Sequence, residues 1–115
     1  MHYIDGFVAA VPTHKRQEYL EHARQADTLL KECGALGAVE CWGDDVPDGK
    51  LTSFPLAVQR KPDETVVLSW ITWPSRAVRD AGMKKFMADP RTQNMQMPFD
   101  GKRMIYGGFE VIYTL

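Results

Sequence analysis

The stretch Val67–Trp73, VLSWITW, runs between the turn-forming residues KPDE (61–64) and Pro74, and its β-branched and aromatic content reads as a strand. Side chains alternate along a strand, so Val67, Ser69, Ile71 and Trp73 point one way and Leu68, Trp70 and Thr72 the other. Each face therefore carries a tryptophan. A chain of 115 residues builds one core, burying roughly two thirds of its unfolded surface. A sheet that is apolar on both faces needs two coverings, and the second points to another copy of the chain.

The rest of the sequence supplies the other elements. A strand is expected from about Tyr3 to Val11, closed by Pro12, with Thr13 as cap of the helix that follows. In that helix Tyr19, Ala23, Ala26, Leu30 and Cys33 recur at steps of three and four and form the buried stripe, and Gly34 ends it. A second strand is expected over 36–43, a surface turn over DDVPDGK (44–50) and a plain connection over 51–63, where Pro55 weakens a strand. The third strand spans Glu64–Trp73, Ser75 caps a second helix reaching about Asp89, and the fourth strand runs from Met104 to about Tyr113. Val78, Gly82 and Phe86 share one line on the second helix, with Gly82 permitting close approach to the sheet. The order βαββαβ defines a single α+β domain over 1–115, ferredoxin-like, with a four-stranded antiparallel sheet and both helices on one face.

Composition narrows the function classes. Fourteen basic residues meet fifteen acidic ones, for a formal net charge of −1, which argues against nucleic acid as a partner. The shared βαββαβ order would allow an RNA platform of Phe7 and Trp70, but the third strand lacks the basic-Gly-aromatic pattern such domains use. No segment approaches the ~20 apolar residues of a membrane helix, and the N-terminal MHYIDGFVAAVP has no basic region ahead of its apolar part. A cytoplasmic location is expected. Cys33 and Cys41 form no C-x-x-C pair and read as buried thiols. His14, Glu18 and His22 are spaced by four, yet no third ligand accompanies them, and a solvated helix face is the reading. No metal or cofactor is expected.

With the elements placed, YIDGFVAAVP, GALGAVECWGDDVPDGK, ETVVLSWITWPSRAVRDAGMKKFMADPR and MPFDGKRMIYGGFE together resemble the bacterial YbaA-like proteins, the domain-of-unknown-function family numbered 1428. The resemblance covers almost the whole chain. It implies the dimeric α/β-barrel superfamily, in which two ferredoxin-like chains pack sheet to sheet, and it brings no established activity.

The candidate site follows from the expected faces. With Ile4, Val8, Val39, Cys41, Val67, Ile71, Ile105 and Phe109 toward the helices, Tyr3, Asp5, Glu40, Trp70, Thr72, Tyr106 and Glu110 face the cleft enclosed by the dimer. Asp5, Glu40 and Glu110 are then the candidate general bases, Tyr106 a donor, and Tyr3, Phe7 and Trp70 the walls of a small-molecule site. Arg79, on the second helix, is positioned to reach an anionic group at the sheet edge. Three functions remain open: small-molecule binding, a cofactor-independent monooxygenase or isomerase, and a structural protein without catalysis.

Overall fold

In the computed structural model, which describes residues 2–115, β1 (Tyr3–Pro12), β2 (Gly37–Trp42), β3 (Glu64–Trp73) and β4 (Ile105–Glu110) form one antiparallel sheet in the order β2-β3-β1-β4. α1 (Arg16–Glu32) and α3 (Arg76–Ala88) cover one face. Two short helices complete the chain, α2 (Phe54–Ala57) and α4 (Pro90–Gln93). This is the ferredoxin-like α+β fold, and β3 begins and ends at the expected residues.

The helices start and stop for local reasons. Ser75 accepts a hydrogen bond from the Val78 amide at 3.2 Å and caps α3, while Gly34 closes α1 with φ +119°. Thr13 does not cap α1: it opens a short 3-10 turn over Thr13–Lys15, and its hydroxyl is 2.7 Å from that of Thr65. α3 approaches the sheet closely at Gly82, where a Cβ would stand 2.5 Å from the Trp73 ring and 2.7 Å from the Cys33 carbonyl oxygen. Trp73 is fully buried there, packed with Leu30, Ala35 and Ile71 and flanked by Met83 and Phe86.

Residues 51–63 are more than a connection. Ser53 caps α2, and Val58 just beyond it is fully buried against Val8, Ala10 and Val66, so this segment covers one end of the sheet's second face. The loop that follows α4 is fastened to it by Arg103. Its guanidinium makes two 2.7 Å bonds to the Glu64 carboxylate and a 2.9 Å bond to the Gln59 carbonyl. Gln59 has φ +49°, unusual for a residue with a side chain, and the Arg103 bond holds it in place.

β4 is shorter than expected. It ends at Glu110, after which the Val111 amide bonds to the His2 carbonyl and Ile112, Tyr113 and Leu115 stand exposed.

Candidate functional site on the helix side of the sheet

Register assigns the faces. Ala9, Val11 and Val67 pack on Tyr19 and Ala23 of α1, with Phe7 and Trp42 against them, so odd positions of β1 and β3 and even positions of β2 face the helices. In β4, Tyr106 opposes Phe7 and Glu110 opposes Tyr3, which places both on that side too. The expectation for β3 holds, with Trp70 and Thr72 on the open face. For β1, β2 and β4 the faces are reversed: Tyr3, Asp5, Phe7, Glu40, Tyr106 and Glu110 all lie on the helix side, outside any cleft between two sheets. The physical reason is that each of these strands has bulky residues at both parities, and a shift of one residue exchanges its faces. Phe7 and Trp70 consequently stand on opposite faces and form no common platform.

The open face is apolar. Beyond the part covered by Val58 it presents Ile4, Val39, Leu68, Trp70, Ile105 and Phe109, of which Val39, Leu68, Ile105 and Phe109 are 38–58% exposed. No titratable group other than the Cys41 thiol stands among them.

The chemistry is on the helix side, in two groups. In the first, three expected residues meet: Arg79 donates to the Tyr3 hydroxyl at 2.9 Å, stacks over the Tyr3 ring at 4.8 Å and lies 3.4 Å from Asp5. Trp73 donates its indole N–H to Asp5 at 3.0 Å. Burial raises the Asp5 pKa, while Arg79 and the Trp73 bond oppose the rise. Gly108 gives this group its room, since a Cβ there would collide with Arg79 and the Tyr3 hydroxyl. Every charge in the group has a partner, which makes it a clamp between α3 and the sheet. Tyr106 is 79% exposed and Glu110 is exposed at the sheet edge; neither joins a cluster.

The second group is differently balanced. Tyr19, buried on α1, donates its hydroxyl to Glu40 Oε1 at 2.6 Å. Asp27, on the same helix, is half-buried beside Glu40, and its pKa is pushed up to about 8 by burial, the hydrogen bond to Glu40 and the charge of that neighbour. Burial and the bond to Glu40 raise the Tyr19 hydroxyl as well. His22, half-buried, has its pKa lowered by burial, and its ring meets that of Phe99 edge-on at 6.3 Å. Tyr19 lies 6.3 Å from the Trp42 ring and 6.1 Å from Phe99. Directly across the β2–β3 ladder from Glu40 is Ser69, fully buried, whose hydroxyl has no hydrogen-bond partner.

Asp27 and Glu40 stand apart from the other acids. Of the described acidic residues that are not exposed, Asp5, Glu64 and Asp89 each have an arginine within 4 Å, and Asp27 and Glu40 have no cationic partner. The Arg16 guanidinium stacks on Trp42 at 5.5 Å. His14 and Glu18 are exposed and apart from this group. Among the described residues no three His, Cys, Asp or Glu side chains gather to hold a metal ion.

Asp27, His22 and Ser69 were not singled out as site residues from the sequence. The signal for Asp27 was its place in the α1 stripe, four residues after Ala23 and eight after Tyr19, where an unpaired acid faces the sheet.

Fold and clusters define a ferredoxin-like protein with an open apolar sheet face and a helix-covered face whose hydrophobic core borders two polar groups. Residues 2–101 match the family described as "Protein of unknown function (DUF1428)". The Escherichia coli K12 protein described as "Uncharacterized protein YbaA" is 58% identical over 114 residues, covering 97% of each chain, and a Shigella flexneri protein of the same description matches equally. The chain belongs to this family of YbaA-like proteins. Among solved structures it is similar in fold to a dimeric ferredoxin-like protein from an uncultured marine organism, with TM-score 0.64, 10% identity and coverage of 99% and 98% of the two chains. A NIPSNAP-like domain protein from Burkholderia xenovorans is similar at TM-score 0.59 and 9% identity, covering 99% and 89%.

Proposed function

We propose that the protein is a cytoplasmic homodimer, paired through its open sheet faces as a dimeric α/β barrel, and that each protomer binds a small organic molecule at the Tyr19–Asp27–Glu40–Ser69 cluster. The observation that carries the binding site is the pair of half-buried acids without a cation, beside a fully buried hydroxyl without a partner. Burying two acids without a cation is costly, and the cost beside an unpartnered hydroxyl supports a place where a ligand completes them.

The dimer rests on the exposed Val39, Leu68, Ile105 and Phe109 around Trp70 and on the dimeric state of the marine relative in fold. Sheet-to-sheet pairing makes that space apolar, so the ligand site moves from the expected inter-sheet cleft to the helix side. Two free thiols suit a reducing compartment. Asp27 favours a second reading, a cofactor-independent proton-transfer enzyme, because burial beside Glu40 raises its carboxyl pKa toward the neutral range in which acid–base work is done.

Native mass spectrometry of the purified protein tests the site. A co-purifying small molecule retained by the wild type and lost on Glu40→Gln supports it; the same molecule retained by Glu40→Gln and lost on Trp70→Ala places binding between the sheets and overturns it.

A further inference from the structure

Granting that binding site, we propose that its ligand is a compact primary ammonium, the protonated amine of a small organic molecule. The site is short of one positive charge, and its wall is aromatic. Glu40 and Asp27 supply carboxyl oxygens, and Ser69 supplies a hydroxyl oxygen that is fully buried and unpartnered. Glu40 and Ser69 are paired across the β2–β3 ladder on the same face, which sets their Cβ atoms about 5 Å apart. A primary ammonium carries three N–H donors and no acceptor, one for each of these three groups.

Around them stand the rings of Tyr19, Trp42 and Phe99, with neighbouring centroids 6.1–6.3 Å apart. Aromatic faces attract a cation and leave its organic portion in apolar contact. Trp42 already holds a cation in this manner, the Arg16 guanidinium. An anionic ligand would meet two carboxyl groups while the Arg16 guanidinium is already stacked on Trp42, and a neutral alcohol leaves the acid pair uncompensated. Phe99, carried on the loop between α4 and β4, is half-buried like Trp42, so solvent reaches the wall at both rings. That loop is anchored beyond Phe99 by Asp100 and Arg103, so a ligand enters by displacing one ring and not by opening the sheet.

The test uses the full chain and four small probes of differing charge and donor number, n-butylammonium, tetramethylammonium, n-butanol and butyrate, titrated while backbone amide resonances are followed by NMR. The expected result is that n-butylammonium shifts Tyr19, Asp27, Glu40 and Ser69, with at least tenfold weaker binding in Asp27→Asn and several-fold weaker binding in Ser69→Ala, both variants giving wild-type-like spectra when free. Equal binding of tetramethylammonium overturns the three-donor assignment. Binding of butanol or butyrate at the same residues in preference to the amine overturns the ligand class and leaves the site standing. If none of the four probes perturbs the cluster, the proposal fails together with the site it rests on.

Discussion

Tyr19 donates its phenolic hydrogen to Glu40 Oε1 across 2.6 Å, joining the middle of α1 to the β2 strand inside the helix-covered layer. The bond uses one acceptor of an acid that has no cationic partner among the described residues, and it leaves Asp27 to share the same carboxyl group. The open face of the sheet is apolar, and the titratable groups of this cluster lie beside the hydrophobic core that the helices cover.

The open face predicts the oligomeric state. The wild type should have twice the chain mass in solution, and Leu68→Glu should be a folded monomer, as light scattering and circular dichroism will report. Trp70→Ala should weaken the dimer about tenfold or more, as an aromatic anchor at the centre of an interface does, while leaving the affinity of the helix-side cluster unchanged.

Arg103 and Glu64 predict the largest loss of stability. Their side chains are only 14% and 6% exposed, so Arg103→Ala leaves a buried carboxylate without its partner and should cost about 3–5 kcal/mol in urea unfolding. The hydrogen bonds from Arg103 hold the Glu64 pKa below the ordinary value. That contribution is present above the ordinary carboxylate pKa and is lost as pH falls through the folded value, so the acid limb of the wild-type stability profile should be shallower in the variant.

Asp27 contributes with the opposite sign. Its folded pKa, about 8, lies above the unfolded value, so the native state binds the extra proton and stability declines as pH rises from the unfolded pKa through 8. The group acting on it is Glu40, which also accepts from Tyr19 and lies near enough to His22 to act on its charge. Asp27→Asn should flatten this decline and melt a few degrees above the wild type at pH 8.5, with little difference at pH 4.5.

Gly82 predicts a steric effect. Gly82→Ala places a methyl group against the Trp73 ring and the Cys33 carbonyl, where neither a fully buried indole nor a backbone oxygen yields easily. A loss of about 1–3 kcal/mol is expected, measurable by chemical denaturation.

Element order and fold were legible because β3, the Ser75 cap, the Gly34 stop and the close approach at Gly82 are each signalled by local chemistry. The need for a second covering was legible in VLSWITW for the same reason. Face assignment was not. In β1, Ile4 and Val8 are as apolar as Phe7 and Ala9, and in β2 the choice between Val39 and Glu40 favours the wrong residue on hydropathy alone. Glu40 turns inward because Tyr19, 21 residues earlier on α1, offers it a hydrogen bond, a relationship that only the folded pairing reveals. Tyr3, Asp5 and Arg79 were chosen for a ligand and form a clamp instead, since Trp73 and Arg79 satisfy Asp5 from within the chain.

The most direct test of the helix-side site is the titration of the Asp27 carboxyl carbon by NMR in the ligand-free protein. Burial beside Glu40 without a cation predicts a midpoint well above the ordinary aspartate range. A midpoint near 4, the ordinary range for an aspartate, would mean that the acid pair is solvated or neutralised within the chain, and the account of an incomplete site awaiting a ligand would be wrong.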